Sequence, residues 1–130
     1  MLDIDYMDEY KVFTSSPDRF PDFRGMIEKL AAQNLKVVAV IDPGVKKDPK
    51  YFVYAIGKKH GLFCKEAHGK PFIDKVWAGP SAFPVFWKQD TRLWWGALHA
   101  FHVNSGIAGI WNDMNEPAER VGHRCATLIG

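Results

Sequence analysis

The sequence predicts an α/β fold built on a parallel sheet. Two observations carry that prediction. Apolar, β-branched runs at Leu35–Ile41 and Ile107–Trp111 each stop at a carboxylate-bearing turn, as buried parallel strands do. The segments leading into them, residues 21–34 and 90–105, instead repeat apolar residues at helical period. Strand, helix and strand joined by short connections imply a right-handed parallel crossover.

Taken in order, Leu2–Met7 has the character of a strand's C-terminal end, followed by a polar loop over residues 8–16. Pro21 suits the first turn of a helix. Phe23, Met26, Ile27, Leu30 and Ala31 form its apolar face, and Asn34, tolerant of the left-handed conformation, ends it. Leu35–Ile41 is the second strand, stopped by Asp42-Pro43-Gly44. An irregular excursion follows. It is expected to hold a short helix over Tyr51–His60, a hairpin pairing Gly61–Lys65 with Phe72–Val76, and an aromatic, turn-rich stretch Trp77–Val85. Long loops in compact domains are usually functional or disordered, and these aromatics argue against disorder. Asp90 is placed to cap a second strong helix whose face is Leu93, Trp94, Ala97, Leu98 and Phe101, with Gly106 just beyond its end. Ile107–Trp111 is the third strand.

The 130 residues fit one domain, and 47% hydrophobic with 25% charged residues is the balance of a globular chain. A net charge of +2, with no basic stripe, gives no reason to expect nucleic acid. No apolar run approaches a membrane span, and no signal peptide opens the chain, so a cytoplasmic setting is slightly favoured. Cys64 and Cys125 carry no CxxC spacing and are expected as thiols. The oligomeric state is not legible.

Parallel α/β sheets carry their chemistry at the C-terminal ends of strands. Asp3, Asp42 and Asp113 all fall there, on one rim. Such a rim suits either a metal or a polyhydroxylated ligand. None of His60, His68, His99, His102 or His123 lies at a strand tip, and His99 and His102 are expected to be solvated on a polar helix flank. Carbohydrate fits better: glycosidic cleavage commonly uses two carboxyl groups, carboxylates accept bonds from sugar hydroxyls, and Trp77 and Trp111 could wall the ring. Blander roles stay open. Asp113 and Glu116 could cap a helix, Asp42 could shape the turn before Pro43, Asp3 could merely end a strand, and Trp77 could plug a core.

Trp111-Asn-Asp-Met-Asn-Glu-Pro117 resembles the nucleophile signature of glycoside hydrolase family 31, the α-glucosidase family. Further segments resemble the same family in the right order: Asp3-Ile-Asp-Tyr-Met7 with Phe13-Thr14, Val38–Gly44, Lys75-Val-Trp-Ala-Gly79 with Phe83-Pro84, and Trp94-Trp-Gly96. The resemblance implies part of a (β/α)8 barrel, about strands two to four, with the excursion after the third. It implies a retaining α-glucosidase with Asp113 as nucleophile. Asp3 would bind sugar hydroxyls, and Ile4, Val40, Trp77, Trp111 and Met114 would line the pocket for an α-glucoside or oligosaccharide. No cofactor or metal is expected. Ala78, Val85 and Trp87 depart from the family pattern, as do residues 119–130, so the barrel piece is placed at 1–118 and the remainder is read as a tail. The family's acid/base Asp belongs to a sixth strand, beyond the resemblance, so the chain alone is expected to be inactive. Transglucosylation, or a non-catalytic carbohydrate-binding or assembly role, are the competing readings.

Overall fold

In the computed structural model, which describes residues 1–115, Val38–Ile41 (β1) pairs in parallel with Gly109–Asn112 (β5). Val38 stands opposite Gly109 and Ile41 opposite Asn112. On the other side of β1, Leu2 makes a single parallel bridge to Ala39, its amide donating to Val38 O at 2.7 Å. The N-terminal stretch is therefore only one bridge long rather than a strand end running to Met7. Asp3 explains this: its Oδ1 accepts from the Ile4 amide at 2.7 Å, capping a one-turn 3-10 helix over Ile4–Tyr6.

Helix α1 (Phe23–Ala32) begins after Asp22, whose side chain accepts from the Gly25 amide at 3.0 Å. Pro21 thus precedes the cap and lies outside the first turn. Asn34 takes the left-handed conformation at φ 60°, as its position past the helix end requires. The following strand is shorter than its apolar run, because the Leu35 amide still bonds back to Leu30 O at 3.0 Å and Leu35 stays exposed.

Gln89–Leu98 (α3) and Ala100–Ser105 (α4) cross from the excursion back to β5. Lys88, not Asp90, precedes the first turn of α3, and it supplies no side-chain bond; Asp90 sits within that turn, where its charge favours the helix dipole. Leu93 is 65% exposed, so the buried face is carried by Trp94, Trp95, Leu98 and Phe101. Gly106 ends α4 at φ 86°, a conformation that only glycine adopts without strain.

The excursion forms its own antiparallel sheet, in the order β2 (Val45–Lys46), β4 (Gly79–Ala82), β3 (Ile73–Val76), with α2 (Phe52–Lys59) after β2. This corrects the expected hairpin. Ile73–Val76 pairs with Gly79–Ala82 around a Trp77-Ala78 turn, made possible by Gly79 at φ 86°. Only Cys64 and Lys65 pair with Pro71 and Phe72, by one bridge and a 2.9 Å bond from the Phe72 amide to Cys64 O.

The main core lies between the parallel strands and the helices. Tyr6 stacks on Phe23 and Phe23 on Phe101, with centroids 5.8 Å apart in both pairs. His102 belongs to this layer at 1% exposure, which overturns its reading as a solvated flank residue. Its Nε2 lies 2.8 Å from the Tyr6 hydroxyl. His99 is half-buried, with Nδ1 donating to Trp95 O at 2.8 Å. A smaller core of Cys64, Phe72, Phe83 and Val85 closes the excursion. The boundary at residue 118, the tail 119–130, Glu116, His123 and Cys125 lie outside the described residues.

Candidate active site

Side chains alternate between the two faces of a strand, and the core contacts fix which face is which. Ala39, Ile41 and Ile110 pack with the helices. Val40, Trp111 and the strand-tip residues Asp42 and Asp113 therefore share the opposite face. Leu2 packs on the helix side like its bridge partner Ala39, so Asp3 falls level with Val40 on that same face. The rim anticipated from the sequence is assembled by register.

The three carboxylates differ in surroundings. Asp113 is exposed; its amide donates to Ile41 O at 3.1 Å, carrying the β1–β5 pairing one residue past the strand. Its Oδ1 accepts from the Met114 amide at 2.9 Å, and Met114 turns away at φ 52°. Asp3 is exposed as well. Asp42 is only 8% exposed, and its Oδ1 is buried without a hydrogen-bond partner. Burial first, then the charges of Asp113 and Asp3, pushes the Asp42 carboxyl up to about 6. Asp42 thus senses both of the other carboxylates.

Of the other residues read from the sequence, Val40 is buried at the floor of this face while Trp111 is 54% exposed beside Asp113. Met114 is half-buried at the turn. Ile4 packs against the helix-side core. Trp77 stands 60% exposed at the tip of the β3–β4 hairpin. The register brings Asp3, Val40, Trp111 and Asp113 together, whereas Ile4 packs on the helix side.

Tyr6 supports the rim from beneath. Its hydroxyl donates to Val40 O at 2.9 Å, and so accepts from Nε2–H of His102. That leaves His102 Nδ1 bare and without a partner. Burial, then His99, lowers the His102 pKa to about 4, so the ring is neutral at ordinary pH. Burial, then Asp42, raises the Tyr6 phenol above its usual range. Sequence spacing could not find this link, since residues 6 and 102 meet only through tertiary packing. Nor could it show that Asp42, apparently a turn residue before Pro43, is the most buried of the three carboxylates.

Among the described residues no group of three or more His, Cys, Asp or Glu is arranged to hold a metal ion, and no helix is long and apolar enough to cross a membrane. A cavity of about 320 Å³ lies between the strand tips and α3, bordered by Ile41, Pro43, Trp95, His99 and Asn112. None of the residues proposed from the sequence borders it.

A parallel sheet with a carboxylate rim, and an exposed tryptophan on its last described strand, is the arrangement of a segment of an α/β barrel. Residues 1–128 match the family model of the glycosyl hydrolases family 31 TIM-barrel domain, and the chain belongs to that family. It is 48% identical over 117 residues to "Alpha-glucosidase 2" of Bacillus thermoamyloliquefaciens, covering 90% of this chain and 15% of the relative. It is 41% identical over 118 residues to "Alpha-glucosidase" of Saccharolobus solfataricus, covering 91% of this chain and 17% of the relative. A solved structure of the glucosidase II alpha subunit superposes with a TM-score of 0.85 at 35% identity, over 95% of this chain and 14% of the other. The chain therefore spans less than a fifth of these relatives, within their catalytic barrel.

Proposed function

We propose that the chain is the part of a retaining α-glucosidase barrel that carries the nucleophile. Asp113 is that nucleophile, and the observation that supports it is its place: an exposed carboxylate at the tip of β5, on the same face as Asp3 and beside Trp111. The substrate is an α-linked glucoside or oligosaccharide. A carboxylate oxygen of Asp113 attacks the anomeric carbon, forming a glycosyl ester as the glycosidic C–O bond breaks. The departing oxygen takes a proton from a general acid, which the family resemblance places on a later strand outside the matched motifs. Water then hydrolyses the ester, restoring the carboxylate. Asp3 accepts bonds from sugar hydroxyls, while Trp111, Val40, Met114 and Trp77 shape the pocket. No cofactor enters this chemistry.

General acid help is worth roughly 10²–10⁴-fold, and an eight-stranded barrel encloses its site only when all strands pair. The 130-residue chain alone is accordingly expected to hydrolyse no α-glucoside. An activated aryl α-glucoside is the stringent substrate, because its leaving group needs little acid help. Turnover by the purified chain that disappears in Asp113→Ala would overturn the expectation of inactivity while supporting the nucleophile.

A further inference from the structure

We propose that Asp42 is a positioning residue for Asp113: the two form a carboxyl pair in which the buried Asp42 is the last to lose its proton and the exposed Asp113 the first to carry charge. This rests on Asp113 being the nucleophile. The register argues for the pair. Ile41 stands opposite Asn112 in a parallel ladder, and the Asp113 amide bonds to Ile41 O at 3.1 Å, so the next residues along, Asp42 and Asp113, are neighbours across the sheet. Adjacent strands lie about 4.8 Å apart. Both carboxyls sit on the face opposite the helix core. Two ionised carboxylates that close repel, and burial decides which is neutralised.

Asp42 is the one that cannot easily carry charge. It is 8% exposed, and its Oδ1 has no hydrogen-bond donor among the described residues. Among the described residues, the charged groups acting on it are Asp113 from β5 and Asp3 from the N-terminal bridge, both negative; the neighbouring Tyr6 hydroxyl is committed to Val40 O. A neutral Asp42 lowers the cost of leaving that oxygen without a donor, since a protonated carboxyl buries no charge. It also matters for the reaction. A nucleophilic carboxylate must be ionised, and an uncharged neighbour does not raise its pKa as a second carboxylate would. A buried Asp42 raised to about 6, beside an exposed Asp113, is the arrangement expected of such a split pair.

Carboxyl-carbon NMR of the isotopically labelled 130-residue chain tests this without any activity measurement. The Asp42 carboxyl should titrate near 6, and Asp113→Asn should lower its midpoint by roughly half a unit to one unit. Asp42→Asn, which imitates the protonated group in shape, should preserve the amide spectrum. An Asp42 midpoint unmoved by Asp113→Asn, or a proton found to reside on Asp113, would overturn the pairing. Neither result would touch the nucleophile assignment, which is read separately by covalent labelling of Asp113.

Discussion

Asp42 and His102 are both buried, and burial disfavours the charged form of each, but they bend stability with pH in opposite senses. His102 falls from its ordinary 6.5 to about 4 on folding, so between those values the unfolded chain binds more protons and stability rises with pH. Asp42 rises from 3.8 to about 6, so over nearly the same window the folded chain binds more protons and stability falls with pH. Each contributes a slope of up to about 1.4 kcal/mol per pH unit. In the native chain the two largely offset. Asp42→Asn removes one arm, and its stability between about 4 and 6 should climb with pH more steeply than the native chain's. Urea unfolding across that range checks it; parallel curves for the two proteins would contradict the opposed pair. Neither residue advertises this in sequence, because Asp42-Pro43-Gly44 has the composition of a turn and His102 that of a helix flank. Tertiary packing alone buries them.

At the scale of elements, legibility followed the strength of the periodic signal. Helix α1, strand β5 and the glycine ending α4 are where pattern and caps place them, since local chemistry there agrees with the packing. The excursion is different: its strands are two to four residues long, too short for alternation to fix a partner, and pairing goes to whichever segment the Gly79 turn returns first. Its helix α2 is held by close packing. A Cβ on Gly57 would meet the ring of Phe63, which is itself stacked on Tyr54 and edge-on to Trp94. Gly57→Ala gains helix propensity but overpacks this junction, and should destabilise the chain by about 1–3 kcal/mol. The equivalent change at Gly96, where a Cβ meets nothing, should be neutral or stabilising. Chemical denaturation of the two variants makes the comparison, and equal effects would show that the Phe63 contact is not limiting.

Across the whole molecule, the functional reading depends on one consequence of parallel pairing. Carboxylates far apart in sequence, Asp3, Asp42 and Asp113, come to one rim because β1 lies between the Leu2 bridge and β5 with strand directions aligned. That much was legible, since strand ends can be read from where an apolar run stops. Which rim residues face a sugar depends on strands beyond this segment, which spans 15% and 17% of the two curated relatives compared with it. The direct test is therefore to replace the matching segment of a complete family 31 α-glucosidase with this chain. The hybrid is then treated with a fluorinated α-glucosyl fluoride, which forms a long-lived glycosyl ester with the nucleophile, and the labelled peptide is sequenced by mass spectrometry. The adduct should lie on Asp113, and Asp113→Ala should abolish both labelling and turnover. Turnover by the hybrid with the label on any other residue would contradict the account.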